Sequence, residues 1–157
     1  ESIISERTKG LDLEPHPTTQ RQLSPKKMKE LKQKIADRTI TREEFEQYDW
    51  NKRFSKRRDM GVREFWDLEQ ERLFSGKKGT RNWSDNQIQD ILNGRRAKFD
   101  GKTLQGHHTY SASQYPHLAN RPEVIFPVTF NEHFYGWHGG NWKMSLPGER
   151  INIMQDF

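Results

Sequence analysis

The chain has 157 residues, enough for one domain, yet only 31% of them are apolar and the mean hydropathy is −1.15. The net charge of +5 favours polyanionic partners such as nucleic acid, and the excess of Lys and Arg lies before residue 107. The absence of cysteine excludes disulfides and thiolate metal sites, and no apolar run is long enough to span a membrane. Because the chain begins with Glu rather than Met, we expect it to be a piece of a longer protein.

The first 37 residues divide into an irregular part and a helix. Residues 1–23 carry Pro and Gly without hydrophobic periodicity, which predicts an arm or linker. Ser24 followed by Pro25 is typical of a helix start, with Ser as the N-cap and Pro in the first turn. Apolar residues then recur at helical spacing, so we predict a helix over 25–37.

Two further helices are predicted before residue 80. Thr41 and Glu44 form a capping-box pattern ahead of a helix over about 42–57. We expect Gly61 to end that stretch and a third helix to follow it as far as Gly76. Residues 24–80 are therefore predicted to be a helical region.

Short elements follow in the next quarter of the chain. Ser84 and a second capping box predict a helix over 85–93. Asp100-Gly101 is typical of a hairpin turn, and the segment 102–112 is expected to form a strand.

The last part of the chain predicts one more strand and one more helix. Val124 to Phe126 reads as a short strand that Pro127 stops. Thr129 begins a third capping-box pattern, so a helix carrying His133 should start there. The order from residue 99 is strand, loop, strand, helix, and the fold class is α+β.

Five of the six histidines fall between positions 107 and 138, which suggests a catalytic cluster. The alternatives are chance clustering and a structural zinc site. Neutral imidazoles bind divalent transition metals, and an imidazole that is not bound to metal can take a proton from water. Phosphodiester hydrolysis needs both functions and a positive surface. Adjacent His107 and His108 can share one site only if the strand twists or ends there, because neighbouring strand residues point to opposite faces.

The run Gly106-His107-His108-Thr109-Tyr110-Ser111, with Glu132-His133 and Trp137-His138-Gly139-Gly140 further on, resembles the His-Asn-His/endonuclease VII superfamily. More narrowly it resembles the Gly-His-His group of nuclease domains at the C-terminal ends of polymorphic toxins, including Rhs-type proteins. The resemblance covers about residues 81–148. It implies a ββα-metal nuclease module, which we place at 81–157, beside the mostly helical N-terminal half.

The resemblance also implies roles for the histidines. His107 and His133 would be metal ligands, and His108 would be the general base. His138 is our candidate for the third ligand. Its five-residue spacing from His133 turns it about 140° away on a regular α-helix, so we expect Gly136 to break the helix. Otherwise His117 substitutes, or the protein supplies fewer ligands.

The middle Asn of the superfamily, which orients the base, has no counterpart in register. Asn131 and Glu123 are the candidates we carry forward for orienting His108, with Asn120 and a backbone carbonyl as alternatives. Arg95, Arg96 and Lys98 are predicted to bind nucleic acid, or else to form an exposed basic turn. A denser basic face lies upstream. We expect it to contact nucleic acid, to be solvated or to bind an acidic partner. It comprises Lys52, Arg53, Lys56, Arg57 and Arg58.

These features predict a metal-dependent endonuclease toxin that hydrolyses phosphodiester bonds, with DNA favoured and little sequence specificity. We expect one divalent metal per site (Mg²⁺, Mn²⁺, Ni²⁺ or Zn²⁺), an acidic cognate immunity protein and a monomer. The domain would be secreted or delivered into a target cell as the C-terminal part of a larger toxin. The alternatives are a ribonuclease on the same fold and a zinc-stabilised module that binds nucleic acid without cleaving it.

Overall fold

The computed structural model describes residues 2–152 and shows an α+β protein, about half of it helical, with two small antiparallel sheets. Four helices come first: α1 (Ser2–Arg7), α2 (Pro25–Asp37), α3 (Arg42–Phe74) and α4 (Asp85–Leu92). Four strands follow: β1 (Lys98–Phe99), β2 (Lys102–Thr103), β3 (Gln105–His108) and β4 (Ile125–Val128). Two 3-10 turns (Pro116–Leu118 and Pro122–Val124) lie between β3 and β4, and a π-helix (Glu132–Trp137) follows β4.

Helix α3 runs through the position where we predicted a break. Gly61 lies buried in its middle, and a Cβ there would meet the carbonyl oxygen of Ala119 at 2.7 Å. The glycine therefore allows the loop at Ala119 to approach the helix backbone, and the prediction that it separates two helices was wrong. The predicted Thr41–Glu44 capping box is confirmed at the start of α3.

The hydrophobic core lies between α3, α4 and the strands. Phe65 and Trp66 of α3 contribute the largest side chains, and Ile91 is the buried residue of α4. The other buried members of this cluster are Ala97, Leu104, Tyr115, Leu118, Val124 and Ile125. The strand pair that carries the histidines is thus fixed on one side by the core.

The strands differ in detail from the predicted ones. Asp100 and Gly101 have φ values of +52° and +76°, so the predicted hairpin turn is confirmed and joins β1 to β2. Pro127 does not end β4 but lies inside it, opposite Gly106 of β3. Because β4 pairs with β3 alone among residues 2–152, its other edge needs no N–H donor and tolerates proline.

The segment expected to be an arm or linker contains α1 and packs against the rest of the chain. Ile4 and Thr8 are buried. Further along, the backbone N–H of Leu23 donates to the Asn51 side chain of α3, whose own amide donates to the carbonyl of Arg21. Within residues 2–152, no helix is both long and apolar enough to cross a membrane.

Candidate functional site

Strand β3 brings the two adjacent histidines to the edge of one cavity. His107 lies opposite Phe126 and His108 opposite Ile125 in the antiparallel pair, and the strand ends at His108. Both side chains line a cavity of about 300 Å³. The end of the strand meets the condition under which neighbouring residues can share a site.

Three imidazoles meet beside this cavity. His107 Nδ1 lies 2.9 Å from His133 Nε2. One ring nitrogen from each of His107, His133 and His138 lies within 4.8 Å of the other two. The ring centroids are 4.8 to 5.0 Å apart. The structure therefore brings together three of the histidines that were singled out in the sequence.

The five-residue spacing of His133 and His138 is explained by the type of helix. Glu132–Trp137 is a π-helix, in which the backbone N–H of residue i+5 donates to the carbonyl of residue i. The N–H of His138 donates to the His133 carbonyl at 3.1 Å, so the wider turn places both side chains on one face. We expected Gly136 to break an α-helix; instead the chain keeps turning, and Gly136 is buried within the π-helix.

The start of the π-helix is anchored to the strand and to the lead-in segment. The predicted capping box between Thr129 and Glu132 is confirmed. Glu132 also accepts two hydrogen bonds from the Arg81 guanidinium at 2.6 and 2.9 Å, and Arg81 donates to the Pro127 carbonyl of β4. Although burial raises the pKa of Glu132, Arg81 and Thr129 outweigh it and hold that pKa below its usual value. These contacts fix the approach of His133 toward β3.

The tautomers of two of the imidazoles are set by carbonyl oxygens. His133 Nδ1–H donates to Gln105 Oε1 at 2.6 Å, and His138 Nδ1–H donates to the Met144 carbonyl at 2.7 Å. Both rings therefore carry their lone pair on Nε2. Acceptors of this kind behind a ring typically orient histidines that bind metals.

Burial disfavours protonation of two members of the cluster, His107 and His133. Burial lowers the pKa of His107 well below its usual value, and repulsion between the neighbouring imidazoles lowers it further. Burial, with repulsion from His138 and His108, lowers the pKa of His133 to about 4. His107 Nε2 is buried without a hydrogen-bond partner among the described residues. A divalent cation binds imidazoles in their neutral form, and the lowered pKa values of His107 and His133 favour that form.

His108 is oriented by a backbone carbonyl. Its Nε2–H donates to the Ala119 carbonyl oxygen at 2.9 Å, which leaves the lone pair on Nδ1. Burial lowers its pKa to about 4; the bond to Ala119 raises this value in part, and Arg58 lowers it. His108 is therefore neutral and able to accept a proton at neutral pH.

The side chains that we predicted to orient His108 are engaged or placed elsewhere. Glu123 accepts both hydrogen bonds of the Arg121 guanidinium, and Asn120 accepts one from Arg57. Asn131 precedes the π-helix and lines a different cavity. Of the alternatives weighed, the backbone carbonyl is the one that contacts His108. A carbonyl carries no side-chain signal, so the sequence did not identify Ala119.

The basic residues near the site are not the three that the sequence favoured. Arg95 is paired with Asp90, and Arg95, Arg96 and Lys98 are absent from the lining of the histidine cavity as far as residues 2–152 define it. Arg58 of α3 and Gln22 line that cavity instead. Arg58 belongs to the basic face noted in the sequence, whereas no pattern indicated Gln22.

His117, the predicted substitute for His138 as third metal ligand, lies outside the cluster. Its Nε2–H donates to the backbone carbonyl of Asp12, in the N-terminal segment. Two tryptophans flank the three imidazoles instead. Trp137 is buried against His107, and half-exposed Trp142 packs against His133 and His138.

The sequence of the chain matches a known protein family. Residues 48–129 match the Tox-GHH family, described as a GHH-signature-containing HNH/Endo VII superfamily nuclease toxin. The chain belongs to this family. The match begins inside α3 and ends after β4, so it includes His107 and His108, and the π-helix lies beyond it.

A curated relative is also similar to part of the chain. Teneurin-4 of Mus musculus is 39% identical over 69 residues, which is 43% of this chain and 2% of that protein. The chain thus spans a very small part of this relative's length. Membership of the Tox-GHH family indicates a nuclease toxin, and HNH/Endo VII nucleases are metal-dependent enzymes.

Proposed function

We propose that the protein is a metal-dependent endonuclease toxin domain whose site is formed by His107, His108, His133 and His138. The observation that supports this most directly is the group of three imidazoles with their nitrogens within 4.8 Å of one another. Two of these imidazoles are oriented by carbonyl acceptors, and His108 borders the same cavity with its own carbonyl partner.

The residues fit a divalent transition metal such as Mn²⁺, Ni²⁺ or Zn²⁺, and Mg²⁺ remains a candidate from the family. His107, His133 and His138 would hold the ion, and three imidazoles leave coordination positions for water and phosphate. A cation bound there supplies charge that polarises the phosphodiester and stabilises the departing oxygen. The donor set supports this assignment, because a ring nitrogen from each of the three histidines lies within 4.8 Å of the others.

The remaining steps belong to side chains of the chain itself. His108, neutral and with its lone pair on Nδ1, takes the proton from the attacking water. Arg58 lines the same cavity and forms no ion pair among the described residues, so its guanidinium is available to hold a phosphate of the strand. The Ala119 carbonyl keeps the His108 ring in position during the transfer.

DNA is the substrate we propose, with little sequence preference, since the basic face of α3 offers contacts to phosphate rather than to base edges. A ribonuclease on this fold is the second candidate, and a zinc-stabilised binding module is the third. We further propose that the domain acts as a monomer at the end of a larger toxin delivered into a target cell. An acidic immunity protein in the producing cell would cover the basic face.

The experiment incubates the protein with plasmid DNA and with total RNA, each in Mg²⁺, Mn²⁺ or Ni²⁺ and again with chelator. We expect DNA cleavage that chelator abolishes, and a loss of roughly 10²- to 10⁴-fold in the His108→Ala variant. Metal titration and circular dichroism of that variant should match the parent, which separates a lost base from a lost fold. Full activity of His108→Ala would refute the assignment of the base.

The other outcomes distinguish the alternatives. Cleavage of RNA with DNA spared would replace the substrate proposal with the second candidate. Unfolding of the chain by chelator, without cleavage under any condition, would favour the zinc-stabilised module. Arg58→Ala should weaken DNA binding, with Arg63→Ala, which removes an exposed arginine of α3 outside the basic face, as the matched control.

A further inference from the structure

Two histidines have no part in the nuclease site and lie together elsewhere. His16, from the N-terminal segment, and His117, from the 3-10 turn Pro116–Leu118, meet at a ring-centroid distance of 4.6 Å. Asp12 Oδ2 lies 2.8 Å from His16 Nε2 and 4.0 Å from His117 Nε2. One donor atom from each of the three residues falls within 4.8 Å of the others.

The backbone holds this second cluster in place from both sides. The N–H of His16 donates to the Gln114 carbonyl at 2.8 Å, and that of Thr18 donates to the Ser113 carbonyl. The Asp12 carboxylate is oriented through its other oxygen, because Oδ1 accepts the backbone N–H of Glu14. Oδ2 is therefore turned toward the two imidazoles without any contribution from a metal.

We propose that Asp12, His16 and His117 form a second metal site that binds a divalent transition metal, with Zn²⁺ as the best match. Two imidazoles and one carboxylate are a typical donor set for this ion, at distances of about 2.0 to 2.2 Å. A cation between the donors would replace two protons, the one that His16 and Asp12 share and the one that His117 Nε2 donates to the Asp12 carbonyl, and would balance the carboxylate charge. Both protons would leave to water. The cluster is partly exposed, so water completes the coordination.

This site would fasten the N-terminal segment to the nuclease site. Asp12 and His16 lie in that segment, while His117 follows the loop of Ser111 to Ser113 that lines the histidine cavity. Gln22, six residues after His16, lines the same cavity. Zn²⁺ binding would therefore stabilise one wall of the cavity at a distance from the reacting atoms.

The test uses the full chain with the first cluster removed by His107→Ala and His133→Ala together. We expect this protein to bind one equivalent of Zn²⁺ by calorimetry, and Co²⁺ to give the visible absorption of a bound ion. Adding His16→Asn should weaken Zn²⁺ binding by more than about tenfold, and Asp12→Asn should do the same. Glu14→Gln is the matched control, because only its backbone contacts Asp12.

A second readout covers the possibility that the double variant is poorly folded. In the unaltered chain, Zn²⁺ should slow proteolysis within residues 12–22, and His16→Asn should remove that protection while leaving DNA cleavage products unchanged in kind. Absence of a Zn²⁺ equivalent in a folded double variant would overturn the proposal, as would unchanged binding after His16→Asn. Neither result bears on whether the protein is a nuclease, so the two proposals fail separately.

Discussion

Truncating Gln105 tests whether the His133 tautomer matters for metal binding. Gln105 Oε1 accepts the His133 Nδ1–H at 2.6 Å and is the carbonyl behind that ring. In Gln105→Ala the ring keeps its place on the π-helix but loses the acceptor that fixes its rotation. Its Nε2 lone pair would then point toward the other two imidazoles for only part of the time.

The size of the effect follows from the exposure of this hydrogen bond. Removing a partner of this kind generally costs 10- to 100-fold in metal affinity. The Gln105–His133 bond is exposed, so water can replace the amide oxygen and recover part of the interaction. We therefore expect a loss near the lower end, about tenfold, which corresponds to about 1.4 kcal/mol. Gln105→Glu should bind metal at least as tightly as the parent, because a carboxylate is the stronger acceptor.

The assay is calorimetric titration of Mn²⁺, Ni²⁺ and Zn²⁺ into the parent and both variants, with Asp12→Asn added to each so that only the first cluster is measured. Gln89→Ala, which removes an exposed glutamine from α4, is the control for truncation itself. The order of affinities should be Gln105→Glu, then parent and control, then Gln105→Ala. Equal affinities for the parent and Gln105→Ala would refute the argument that this oxygen orients a metal ligand.

Three further predictions concern stability and the positioning of the base. Gly61→Ala should lower nuclease activity and destabilise the fold by about 1 to 3 kcal/mol in urea unfolding, since its Cβ would displace the Ala119 carbonyl. Glu69→Gln should cost about 3 kcal/mol in the same assay, because the buried carboxylate accepts hydrogen bonds from Thr80 and Trp83 that one amide oxygen cannot all receive. Hydrogen bonds from Lys34 and Thr41 lower the pKa of Glu44 to about 2, so its stabilisation should be complete above about pH 4.5 and fade as the pH falls toward 2. Urea midpoints of Glu44→Gln and parent should accordingly differ at pH 7 and converge near pH 2.

Local rules predicted the elements that local chemistry decides. The capping boxes at Thr41, Ser84 and Thr129 and the Asp100–Gly101 turn are all present, because each depends on residues within four positions of one another. The boundaries that depend on partners elsewhere in the chain were not predictable in this way. Gly61 reads as a helix end until the loop that packs on it is known.

The histidine site also combines features that depend on neighbouring residues with features that depend on distant ones. The pair at 107–108 and the helix start before His133 could be recognised from residue types and spacing. The π-helix could not, because an α-helix and a π-helix differ in which carbonyl each N–H selects, and that choice depends on tertiary contacts. The sequence identified His108 as a candidate base but not its hydrogen-bond partner, because the Ala119 carbonyl lies in a loop that only the fold brings near.

The long helix α3 connects the two halves of the chain through two separate sets of contacts. On one side, Gly61 admits the loop whose Ala119 carbonyl holds His108, and Arg58 reaches the same cavity. This first set would position the proposed base and the proposed phosphate-binding arginine.

On the other side, Glu69 holds Thr80 and Trp83, and Arg81 between them binds Glu132, the residue before His133. This second set would position His133, a proposed metal ligand. Both sets begin on α3 within three turns of each other, so a shift of this helix changes the spacing between base and metal ligands. This dependence gives a physical reason why the family match begins at residue 48, inside α3, almost 60 residues before the first histidine of the pair. We therefore propose that α3 acts as part of the nuclease site rather than as a delivery linker joined to it.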